Sequence, residues 1–101
     1  MPHGHRTAEL RSIALHELVA GRLDGETIDR ASERVERWID DGGPVAPRVA
    51  LRWRELLRLP PAALAAHLVE DSEEMRDLRQ NTPFAGAIPP HERWRVISEV
   101  P

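Results

Sequence analysis

The sequence predicts an all-α protein, a compact bundle of five to six helices with no sheet, a Pro/Gly-rich loop and a short C-terminal helix. Apolar residues recur at helical spacing through most of the chain, and no segment alternates apolar and polar residues as a half-buried strand does. Glycine and proline gather in the gaps between the apolar stripes, where they punctuate a helical chain. At 101 residues the reading is one helical domain over 7–101 behind a disordered N-terminus over 1–6. A domain of this size buries about 60–65% of its unfolded surface and needs no covalent staples.

The first helix is expected from Thr7 to about Leu23. Its apolar residues Leu10, Ile13, Leu15, Leu18, Val19 and Leu23 occupy more than one face. Such a helix packs against several neighbours or against another subunit, which predicts an at least partly dimeric protein. Asp24-Gly25 makes the break. In the second helix Ile28, Ala31, Val35, Trp38 and Ile39 form one stripe of a 3.6-residue period. Glu26–Arg30 and Glu33–Arg37 add i,i+4 pairs with the acid first. Gly42, Gly43 and Pro44 stop it.

The third helix opens near Pro47, where a missing N–H costs nothing, and buries Val49, Trp53, Leu56 and Leu57. Pro60-Pro61 breaks it. A short Ala/Leu-rich fourth helix runs from Ala62 to about Glu70. Asp71-Ser72-Glu73-Glu74 resembles a capping box with Asp71 as the cap, and it starts a fifth helix that ends near Gln80 with Met75 and Leu78 inward. Pro89-Pro90 opens a last short helix carrying Trp94 and Ile97 on one side.

Net charge is −3 and the sequence contains no cysteine. The first argues against general nucleic-acid binding, the second excludes disulfides and thiolate zinc sites. No long apolar run or signal-peptide core is present, so a cytoplasmic protein without a membrane segment is expected. All 14 cations are arginine, the bias of a GC-rich genome.

Signs of catalysis are missing. His16-Glu17-Leu18-Val19-Ala20 and His91-Glu92-Arg93-Trp94-Arg95 begin like a zinc-binding H-E-x-x-H helix but lack the second histidine. His3 and His5 on the polar N-terminus fall short of the three or four fixed ligands of a specific site. Ser12, Ser32, Ser72 and Ser98 have no adjacent base, and no Gly-rich phosphate loop occurs. The expectation is a non-enzymatic protein with no cofactor and no metal.

Charge is unevenly laid out. Residues 24–41 carry seven acids against three arginines and residues 70–77 five against one, each −4, whereas Arg48, Arg52, Arg54 and Arg58 leave residues 48–58 at +3. These segments either neutralise one another in the fold or present an acidic face to a basic partner. The arginine helix supports the alternative of a small DNA-binding transcriptional regulator, with Arg48, Arg52, Arg54 and Arg58 against the duplex. The nearby Asp40 and Asp41 would repel phosphate.

The last quarter is the most distinctive segment. Pro83, Gly86, Pro89 and Pro90 bracket the single phenylalanine, Phe84, and Arg93-Trp94-Arg95 follows. A bulky apolar residue in such a loop either enters the core or meets a partner. Arg79, Asn81, Phe84, Arg93 and Trp94 are the candidate partner-binding residues, since aromatic and arginine side chains dominate interface hot spots. In the structural reading, Phe84 and Trp94 both fold back onto the bundle, with Arg79 and Arg93 left at the rim.

Leu78-Arg79-Gln80-x-x-Pro83-Phe84-Ala85-Gly86 followed by Glu92-Arg93-Trp94-Arg95 resembles a group of small uncharacterised bacterial α-helical proteins ending in L-R-Q-x-x-P-F-A-G…P-x-E-R-W. Trp53-x-Glu55-Leu56-Leu57 and Glu70-Asp71-Ser72 extend the similarity across about residues 10–97. Such proteins accompany toxin–antitoxin or defence genes, so the resemblance implies a protein-binding, antitoxin-like neutraliser of a bacterial partner. It transfers no catalytic or binding residue.

Overall fold

The computed structural model describes residues 3–100, with side chains from Arg6 onward. Among these residues lie six helices and no strand: α1 (His3–Ala20), α2 (Gly25–Asp41), α3 (Pro47–Leu57), α4 (Pro61–Leu68), α5 (Glu73–Gln80) and α6 (Pro90–Glu99). The Cα radius of gyration is 13.4 Å, against about 13 Å for a compact chain of 100 residues. No described helix is long and apolar enough to cross a membrane.

α1 starts at His3, earlier than the expected Thr7 and inside the segment read as disordered. Once packing has nucleated a helix, each added residue gains a backbone bond, so a polar stretch can extend it. Residues 1–2, and the side chains of His3 and His5, lie outside the described residues. α2 keeps its expected boundaries because both ends are capped. Asp24 Oδ1 accepts from the Thr27 N–H at 2.7 Å, and Gly42, at φ 72°, takes the left-handed C-terminal position that other residues enter at a cost.

The N-cap of α5 is Ser72, one residue beyond the expected Asp71. Ser72 has the extended backbone of a cap, and its Oγ accepts from the Met75 N–H at 3.2 Å. The Asp71 side chain points into solvent, and Glu74 reaches Arg52 on α3 instead of folding back. An N-cap is present one residue later than expected, but no capping box forms, since the third helical residue from Ser72 is Met75.

α2 and α3 make the most extensive helix pair; α2 buries Ala31 and Val35, and α3 buries Val49, Ala50, Trp53, Leu56 and Leu57. α1 touches α4, α5 and α6, while α4 also meets α3 and α5. This explains why α1 is apolar on several sides: three helices of the same chain cover it. Among the described residues, the large apolar side chains that remain exposed are Leu51, Val69 and Trp94, none of them on α1. Leu10, Ile13, Leu15 and Leu18 of α1 are half-buried. Trp53, Leu56, Leu64, Leu68 and Met75 are fully buried and mark the centre of the core.

The uneven charges also meet inside the fold. Arg54 on α3 makes a two-pronged pair with Glu36 on α2, Nε–Oε2 2.9 Å and Nη2–Oε1 2.7 Å. Arg52 lies 3.2 Å from Glu74 of α5 and 3.4 Å from Glu55. Those arginines hold helices together, while Arg48 and Arg58 stand exposed.

Candidate functional site

The Pro/Gly-rich loop between α5 and α6 is built from inside outward. Phe84 is 3% exposed and meets Trp53 edge to face, with ring centroids 5.9 Å apart at 74°. That geometry suits the aromatic quadrupoles. Trp53 also donates its Nε1–H to the Asn81 carbonyl at 3.1 Å, so one indole fixes the loop at two points. Ile88 is buried beside them, and Arg34 of α2 donates to the Pro83 carbonyl at 3.4 Å.

A second anchor comes from α1. His16 is buried, with Nδ1 2.7 Å from the Ser12 carbonyl and Nε2 2.9 Å from the Thr82 hydroxyl. A carbonyl only accepts, so Nδ1 carries the proton and Nε2 accepts from the Thr82 O–H. Thr82 Oγ1 in turn accepts from the Phe84 N–H at 3.1 Å. Every group in this chain of bonds is used when the imidazole is neutral. Burial pushes the His16 pKa down; the Ser12 hydrogen bond opposes that shift and the Arg79 charge adds to it. His16, set aside as a metal ligand, is a post that holds the loop. Among the described residues, no cluster of three or more His, Cys, Asp or Glu is placed to bind a metal ion.

Arg79 is not at the rim. Its residue is 3% exposed, and its Nη1 donates to the carbonyls of Leu68 at 3.1 Å and Glu70 at 2.9 Å. The Leu68 carbonyl ends α4, where a helix lacks internal donors, and the Glu70 carbonyl lies just past it, so Arg79 caps one helix from another. Its Nη2 is buried without a hydrogen-bond partner. Burial pulls its pKa down from the ordinary arginine value, and the nearby Asp71 and Glu70 carboxylates push it back up. The sequence did hold the signal for this burial: Met75, Leu78 and Arg79 stand at i, i+3 and i+4, one helix face.

Trp94 does not fold back either. It is 70% exposed, while Val96 and Ile97 of the same helix, and Val100 just past its end, are half-buried, and the helix packs against α1. At roughly 100° per residue, Trp94 sits about 60° from Ile97 and about 160° from Val96, at the outer edge of that stripe. Glu92 pairs with Arg22, just beyond the end of α1, and moors the start of α6. The Arg22 hydrogen bond holds the Glu92 carboxyl below the usual carboxylate range.

The loop, α1 and α6 enclose a partly open cleft of about 450 Å³. Arg79, Asn81, Phe84 and Arg93 of the candidate set all line it; Trp94 lies outside. One wall is α1 with Arg11, Leu15 and His16, and the apolar floor includes Val19, Trp38 and Ile88. Asn81 and Arg93 are exposed at the surface, with Arg79 and Phe84 set into the wall. Arg48, Arg52, Arg54 and Arg58 lie elsewhere, on α3 and at its C-terminal cap. No family model, curated protein or solved structure is significantly similar to this chain.

Proposed function

We propose that this protein is a non-enzymatic protein-binding module, an antitoxin-like neutraliser of a bacterial partner, that docks through α6 and the adjoining mouth of the cleft. The observation that carries this reading is Trp94. A large indole held 70% exposed on a helix that is moored along its other side is an anchor available to a partner. Arg93 and Asn81 stand exposed at the cleft and supply the donors that orient such an anchor. The resemblance of the tail to the L-R-Q-x-x-P-F-A-G…P-x-E-R-W group agrees with a partner encoded alongside. The DNA-binding alternative has less support, because Arg52 and Arg54 are already paired with Glu74 and Glu36.

Co-expression with the product of the adjoining gene tests the reading. The two proteins should co-purify, and the wild-type chain should relieve any growth arrest that product causes. Trp94→Ala with Arg93→Ala should weaken the complex by about 2 kcal/mol or more while leaving the melt unchanged. Absence of a complex, or a complex indifferent to both changes, would overturn it.

A further inference from the structure

We propose that the cleft between α1, the 81–89 loop and α6 is a binding site for a small organic anion, a monocarboxylate with an aromatic or branched apolar body. Its volume of about 450 Å³ lies within the roughly 300–1,000 Å³ of sites that enclose small molecules. The lining divides by chemistry. Leu15, Val19, Trp38, Val45, Phe84 and Ile88 offer an apolar chamber, and its charged residues are Arg11, Arg79 and Arg93. Among the described residues no carboxylate lines it, in a protein whose net charge is −3. Glu9 lines a smaller adjoining recess that shares Ala8, Ser12, Arg79 and Gln80.

Arg79 adds an independent sign. Its guanidinium is buried, yet Nη2 has no partner. Buried donors are nearly always satisfied, and a buried cation short of one partner favours an anion in the cleft that it lines, through its charge and not through a direct bond to Nη2. Arg11 and Arg93 are exposed and can close on a carboxylate at the mouth, with the Arg79 charge in the wall behind it. His16 lines the same space and is held there by its bond to Thr82. A body without polar groups suits the floor, since burying an unpaired polar atom there would cost affinity.

The site is argued from the cleft alone and does not depend on the protein-binding reading, whose anchor Trp94 lies outside it. Naphthalene-2-carboxylate and its neutral counterpart naphthalene-2-methanol are suitable probes, followed by calorimetry and by the tryptophan indole N–H resonances. The carboxylate should bind saturably with a Kd of about 1 mM or tighter, as expected for a ligand of that size. Arg11→Gln combined with Arg93→Gln should weaken binding at least about tenfold, as should removal of the probe's charge. The Trp38 resonance should move and that of Trp94 should not, and Trp94→Ala should leave the affinity unchanged. The proposal is overturned if both probes bind equally, if the arginine variant with an unchanged melt binds like wild type, if Trp94 alone responds, or if no saturation occurs below about 10 mM.

Discussion

The His16 imidazole joins the Ser12 carbonyl to the Thr82 hydroxyl, at 2.7 and 2.9 Å, and so ties the first helix to a loop sixty-six residues further along the chain. The bond fixes more than position. It holds one tautomer and one charge state, because a proton on Nε2 would turn the Thr82 hydroxyl away from its only acceptor in this chain of bonds.

A pH dependence follows from that state. The unfolded chain takes up a proton on histidine near pH 6.5, whereas burial keeps the folded His16 neutral to lower pH. Between those values the unfolded state binds more protons, so stability rises with pH. The contribution is present in full above about pH 6.5 and is lost as pH falls toward the lowered folded value. Urea midpoints should therefore drop from about pH 7.5 to 5.5, before most carboxylates titrate. His16→Gln should have a lower midpoint throughout and a flatter slope; an equal slope in both proteins would show that His16 does not carry the effect.

Arg79 should matter for stability despite its charge. Arg79→Met removes the donors to the Leu68 and Glu70 carbonyls and strands acceptors at the end of α4. A loss of about 2–3 kcal/mol is expected, the range for hydrogen bonds to a charged group. Arg79→Lys should recover part of it, since an ammonium offers donors without the planar fork. A midpoint unchanged in Arg79→Met would return the side chain to the rim.

Oligomeric state should follow the packing of α1. With α4, α5 and α6 around that helix, light scattering is expected to return a mass near 11.4 kDa at micromolar concentration. A mass near twice that value would mean that Trp94, Leu51 and Val69 find a second copy of the chain.

Duplex DNA should bind weakly. Arg54 and Arg52 are engaged by Glu36 and Glu74, and acids stand close to the arginine helix. No affinity tighter than about 10 micromolar for arbitrary duplex is expected at physiological salt. Sub-micromolar binding lost on Arg52→Ala with Arg54→Ala would reinstate the regulator.

What the sequence revealed and what it hid divide along contact distance. The α2 stripe, the Gly42 stop and the prolines that open α3 and α6 are local, and each is legible as chemistry within a turn or two. The site is made of long-range bonds. Neither His16 to Thr82 nor Trp53 to Asn81 leaves a sequence pattern, because tertiary packing selects the partner. Arg79 and Trp94 were misread in opposite directions. Charge suggested the surface for Arg79, although its phase with Met75 and Leu78 places it inward. Ring size suggested the core for Trp94, although tertiary packing leaves it at the outer edge of its helix. Phe84 was readable as an inward residue because the loop holds no other ring.

The central claim is that the tail is divided, with Phe84 built into the core and Trp94 presented to a partner. Urea melts of Phe84→Ala and Trp94→Ala, measured side by side, test it most directly. Phe84→Ala removes a buried ring that packs on Trp53 and should destabilise the fold by roughly 3–5 kcal/mol. Trp94→Ala should cost under about 1 kcal/mol, as truncation of an exposed side chain does. An unchanged midpoint for Phe84→Ala, or a loss of several kcal/mol (about 3 or more) for Trp94→Ala, would contradict the division.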